Sequence, residues 1–122
     1  MDVRDPKALV EAYLQALEDR DYDAARGCLA DRGFSYVSPI ASYSRADDLL
    51  DHAMIGGSIV HQRQPIKCFV DGPDVCHILR YWIQLSDKQQ VDIAHWARVE
   101  HGRIVGITAI FDARAYWSLF EG

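Results

Sequence analysis

No stretch of this sequence approaches the roughly 20 consecutive apolar residues that a membrane-spanning helix requires. The opening run MDVRDPKALVEAY is acidic and amphipathic rather than signal-like, so a cytoplasmic protein with no membrane partner is expected. Cysteine is scarce: Cys28, Cys68 and Cys76 form no CxxC pair, and an odd number argues against a disulfide framework. They read as small core residues. There is no glycine-rich phosphate loop, no HExxH and no His-x-x-x-His, so neither a cofactor nor a metal is expected. Basic residues are scattered and the formal net charge is −5, which removes the electrostatic footprint of a nucleic-acid binder.

What is present is an ordinary globular composition, 49% apolar and 25% charged, and residues 1–122 are enough for one core but too few for two. Asp5-Pro6 places an N-cap acceptor before a proline at the first helical position, where a missing N–H costs nothing. Leu9, Tyr13, Ala16 and Leu17 then recur on one face, widened by Val10 and Leu14, which predicts a helix over 6–18. Asp21 is expected to cap a short second helix with Tyr22, Ala25 and Leu29 on one side, and Gly33 follows as a stop. Residues 34–38, FSYVS, alternate as a short strand that Pro39 ends. Ser44 begins a third helix, with Asp47 three residues on as in a capping box, Leu49, Leu50, Ala53 and Met54 as its buried side, and Gly56-Gly57 at its end.

From there the period changes to two. Strands are expected over 65–71, 74–85, 90–100 and 103–111, separated by the turn-forming stretches DGPD, SDKQ and EHGR and therefore antiparallel neighbours. Helices followed by a strand meander form an α+β pattern with the helices on one sheet face. With Asp87-Lys88 as a two-residue turn, Tyr81 lies opposite Ala94, Leu79 opposite Trp96 and Ile83 opposite Asp92. That register puts Leu79, Tyr81, Asp92, Ala94 and Trp96 on one face and Ile78, Trp82, Val91 and Ile93 on the other. Helices cover only one face, so the apolar residues of the other predict a homodimer.

The run VEAYLQALEDRDYDAARGCLADRGFSYVSP, followed by a capped helix and by HWARVEHGRIVGITAIFDAR, resembles the SnoaL-like branch of the nuclear-transport-factor-2-like superfamily in element order over nearly the whole chain. The resemblance implies a cone-shaped α+β fold: a curved antiparallel sheet closed by two or three N-terminal helices around an apolar pocket, with two copies pairing through the convex sheet face. It leaves the chemistry open. Tyr13 matches the helix-one tyrosine of ketosteroid isomerases, but Ser38 and Ala94 stand where the family's acids belong, and a serine cannot replace a carboxylate base. In limonene-type epoxide hydrolases the last-strand acid corresponds to Ala109, and no arginine is found at a matching inward position. The stretch HQRQPIKCFVDG is similar to the catalytic-histidine segment of scytalone and bile-acid dehydratases, which places His61 as the proton-transfer group. Tyr13 and Glu18 then fall near that group's tyrosine and acid, although Glu stands in place of Asp and the arginine and second acid are not evident on later strands.

Two classes of function follow. In the first, a small hydrophobic molecule is bound and a cofactor-independent lyase or isomerase proton transfer is carried by Tyr13, His61, Asp92 and Glu18. His61 suits a general base because an unperturbed imidazole titrates near about 6.5, and an inward Asp92 would have its carboxyl pushed up by desolvation. Phe34, Tyr36, Ser38, His77, Tyr81, Trp96 and Phe111 are the expected ligand-binding wall, while His95 falls on the opposite, dimer-forming face. In the second class the chain is a non-catalytic ligand-binding or dimerisation module, and Tyr13, His61 and Asp92 are structural. The missing second acid and arginine favour that alternative.

Overall fold

Asp5 accepts a hydrogen bond from Ala8 N at 2.7 Å and Pro6 opens the first helix, α1 (Pro6–Glu18), where the sequence predicts it. The computed structural model describes residues 5–56, 60–84 and 88–114, with the side chains of 55–61 and 84–88 excepted. Asp21 caps α2 (Tyr22–Gly27) through Ala24 N, and the chain then runs through β1 (Ser35–Val37), β2 (Ser42–Tyr43) and α3 (Ala46–Gly56). Four long strands follow: β3 (Val60–Asp71), β4 (Asp74–Gln84), β5 (Lys88–Glu100) and β6 (Arg103–Ile110). Among the described residues no helix is long and apolar enough to cross a membrane.

The strands form one curved, unclosed six-stranded sheet in the order β2-β1-β6-β5-β4-β3. β3 to β6 are an antiparallel meander, whereas β1 joins the sheet parallel to β6, a pairing the sequence pattern does not reveal. Gly72 and Gly102, at the β3–β4 and β5–β6 turns, have φ of 58° and 73°, where a Cβ would strain the backbone. The result is the α+β architecture expected, with α1 packed on β4, β5 and β6.

Alternation explains the core. Leu9, Val10, Tyr13 and Leu14 of α1 meet Val75 and Leu79 of β4, Ala97 of β5 and Ile107 of β6, all buried. Burying one such aliphatic side chain contributes about 1.5–3 kcal/mol. Arg26 of α2 ties that helix to α3 and to the loop between them: its guanidinium donates to Asp47 (2.8 Å), Asp31 (2.9 Å) and the Leu29 carbonyl (3.2 Å). Asp47 is therefore engaged with Arg26 rather than in the expected capping box, and α3 starts at Ala46.

The central hairpin corrects the expected register. Gln84 pairs with Lys88, so Tyr81 lies opposite Val91 rather than Ala94, and Leu79 opposite Ile93 rather than Trp96. The shift is three residues, and any odd shift exchanges the two faces of a strand. His95 and Ala97 thus lie on the helix-bearing face with His77, Leu79 and Tyr81, while Asp92, Ala94 and Trp96 share the opposite face with Cys76, Ile78, Arg80 and Trp82. Val91 and Ile93, expected on a dimer surface, face the helices and are half-buried.

Candidate functional site

The register brings two histidines together. His77 and His95 are direct cross-strand partners, 2% and 8% exposed, and Cys68 of β3 continues the same row. Tyr13 lies over them from α1, its ring centroid 6.2 Å from that of His95 with the planes 31° apart. Four residue pairs further along the β3–β4 ladder, Arg63 sits opposite Tyr81 and donates from Nη2 to Glu18 Oε2 at 2.8 Å. Two helical turns before Glu18, Glu11 reaches toward His77, with Oε2 to Nε2 at 3.5 Å, too long for a good hydrogen bond. The interior beneath α1 is therefore polar at this point rather than uniformly apolar.

Arg63 Nε, both ring nitrogens of His77 and Nδ1 of His95 are buried without a hydrogen-bond partner among the described residues. Leaving such an atom unsatisfied costs about 1–3 kcal/mol, which makes each one a place where a further partner is needed.

Burial sets the protonation states. It holds the Tyr13 hydroxyl protonated far above its ordinary range, reinforced by the neighbouring Tyr36 and Tyr81. Burial also raises Tyr81, opposed by the Arg63 charge, and raises Tyr36, opposed by its hydrogen bond with Ser38. Both histidines are pushed toward the neutral form. In His95 burial acts first, followed by repulsion from His77 and Arg63, and its pKa falls to about 4. In His77 burial is partly offset by Glu11, so it keeps more of its basicity. The site thus presents tyrosine hydroxyls as donors, neutral imidazoles as acceptors and one guanidinium. Among the described residues no group of three or more His, Cys, Asp or Glu is arranged to hold a metal ion.

Of the residues singled out in the sequence, Tyr13, His77 and Tyr81 meet at this site, with half-buried Tyr36 at its β1 edge. Glu18 also arrives there, but bound to Arg63 instead of a histidine. His61 belongs to β3 rather than preceding it, and its side chain lies outside the described residues. Phe34 is buried in the general core, Phe111 is half-buried just past β6, and Ser38 organises a turn by accepting from Ile40 N and Ala41 N.

Asp92 and Trp96 are corrected. Asp92 pairs bidentately with Arg80 at 2.9 and 3.3 Å on the opposite face, and that pairing draws its carboxyl below the ordinary range instead of above it. Trp96 is 47% exposed there and donates from Nε1 to Asp74. His95 moves the other way, into the interior. Sequence reasoning missed Arg63 because β3 was expected to begin at residue 65. The signal was available: an 11-residue β4 needs a partner of similar length, and extending β3 backward gives Arg63 a face.

The sequence matches no family profile and no curated protein. Solved structures do match. A nuclear-transport-factor-2-like (NTF2-like) protein from Burkholderia thailandensis superposes with a TM-score of 0.83 at 18% identity, over 98% of this chain and 99% of that one. An LEH-like epoxide hydrolase from M. tuberculosis gives 0.74 at 20% identity over 93% and 85%. A protein with a ketosteroid isomerase-like fold from Catenulispora acidiphila, solved in complex with trimethylamine, gives 0.71 at 16% identity over 83% and 82%. At these identities the likeness is one of fold, and the fold of this chain is the NTF2-like one.

Proposed function

We propose that this chain binds a small hydrophobic ring compound bearing a carbonyl or hydroxyl group beneath α1, and moves a proton on it without a cofactor, as a lyase or isomerase of the SnoaL-like kind. The observation that carries the reading is the convergence of unpartnered nitrogens from Arg63, His77 and His95 beside the Tyr13 and Tyr81 rings. Apolar walls with a few convergent polar groups are what a small-molecule site requires. That one protein of this fold is an epoxide hydrolase supports small-molecule chemistry here.

In this reading His77 is the base. Glu11 restores part of the basicity that burial removes, whereas the base strength of His95 is too low for efficient proton abstraction near neutral pH. Tyr13 and Tyr81, held protonated, donate to the oxygen on which charge develops, and Arg63 adds a fixed positive charge beside them. His61, two residues before Arg63 on β3, is kept as a second candidate base. The protein acts as a homodimer: on the opposite sheet face Phe69, Cys76 and Trp96 form one cross-strand row, with Phe69 56% and Trp96 47% exposed.

The test uses cyclic ketones in deuterium oxide, followed by NMR for protein-dependent exchange of the protons next to the carbonyl. His77→Ala is expected to slow exchange by about 10²–10⁴-fold, the usual cost of losing a general base. Stabilisation of the protein by the ketones without any exchange establishes the non-catalytic ligand-binding module instead. Neither exchange nor stabilisation overturns both.

A further inference from the structure

We infer that the Glu18–Arg63 ion pair makes this site selective for uncharged ligands, with Glu18 as the residue that excludes carboxylates; the inference rests on the small-molecule reading above. A buried arginine with a free Nε is ordinarily an anion receptor, because its fork matches the two oxygens of a carboxylate. Here the fork is already half used. Arg63 Nη2 is held by Glu18 at 2.8 Å, and the arginine side chain is 13% exposed against 44% for the glutamate, so the acid closes the pair from the solvent side.

The charges around the cluster balance. Lys7, Glu11 and Glu18 face it from α1 and Arg63 from β3, while His77 and His95 on β4 and β5 are held toward the neutral form. Two cations therefore meet two carboxylates. A carboxylate entering this site exchanges its hydration for a region with no net counter-charge, and has Glu18 and Glu11 as neighbours. An uncharged molecule with an acceptor oxygen loses little on entry and still reaches the Arg63 Nε–H. Its charge appears only as the proton leaves, when the guanidinium and the tyrosine hydroxyls become most effective. Removing the Glu18 charge releases Nη2 and leaves the cluster one unit more positive.

2-Naphthamide and 2-naphthoate, nearly identical in shape and differing in charge, read this directly. Affinities are measured by calorimetry, and NMR shift changes at Tyr13 and His95 locate the binding. The parent protein is expected to bind the amide at least about tenfold tighter than the carboxylate. Glu18→Gln, on a half-exposed helix end, should narrow or reverse that ratio by about tenfold, mainly by strengthening naphthoate binding. Arg63→Gln should instead weaken both probes, and naphthoate more than the amide, because it leaves the Glu18 charge without its partner. Equal affinities in the parent protein, a preference for naphthoate, or a ratio that Glu18→Gln leaves unchanged overturns the inference while the small-molecule site stands. Binding of neither probe at millimolar concentration overturns the small-molecule reading and this inference with it.

Discussion

The two faces of the central hairpin are built from alternate residues of the same strands, yet their polar groups behave in opposite ways. On the outer face Arg80 closes on Asp92, and Asp74 joins Trp96 to Arg98, which in turn pairs with Glu100; each of these groups has a partner and most are open to solvent. Exposed pairs of that kind contribute little to stability, since water competes for both members. Beneath α1, one residue along each strand, His77, His95 and Arg63 are buried with nitrogens unpartnered. A fold keeps such groups where they serve something besides stability. The lesson is that an abundance of bonds marks the structural face here, and their shortage marks the candidate site.

The sharpest way to break this comparison is acid. His95 has an ordinary value of 6.5 and falls to about 4 in the fold, so between those values the unfolded chain binds a proton that the native one refuses. Stability is therefore fully present above 6.5 and is lost as pH falls toward 4, by about 2 kcal/mol between pH 6.5 and 5, before carboxylates titrate appreciably. Urea denaturation at pH 6.5, 5.75 and 5 measures the slope. His95→Gln should flatten it whatever that variant's own stability, and an unchanged slope shows that His95 is not buried as described.

A smaller effect is expected on the outer face. If its apolar row pairs two copies, sedimentation at micromolar concentration shows twice the chain mass, and Trp96→Ser weakens association by about tenfold, equivalent to about 1.4 kcal/mol. A parent protein that sediments as a monomer removes the dimer. The smallest effect belongs to Asp92→Asn, which should alter neither the denaturation midpoint nor ketone exchange beyond error, because its carboxylate is exposed on the face away from the histidines. A large loss of exchange in that variant would reverse the assignment of the two faces.

Element type and order were legible in the sequence because they depend on local rules. Asp5-Pro6 and Asp21 announce helix starts through capping, the spacing of Leu9, Tyr13 and Ala16 specifies a helical face, and the alternation after the third helix specifies strands. Tyr13 was placed inward by that logic and is buried. The candidate site was legible only in part. Tyr13 was expected as a proton-transfer group and His77 and Tyr81 as wall, Glu18 was expected but is bound to a different partner, and Arg63, Glu11 and His95 were not recognised as inward groups.

By itself, then, the sequence determined which residues of each strand travel together: Asp92 with Ala94 and Trp96, and Val91 with Ile93 and His95, because a strand's side chains alternate at a period of two. Which of those two sets meets α1 was decided by tertiary structure. Both sets are partly apolar, so burial alone does not choose between them, and the choice rests on where β5 returns beside β4. Pairing Gln84 with Lys88 instead of centring the turn on Asp87-Lys88 moves the register by three residues. An odd shift costs nothing in local propensity, yet it exchanges an aspartate and a tryptophan for a histidine in the interior.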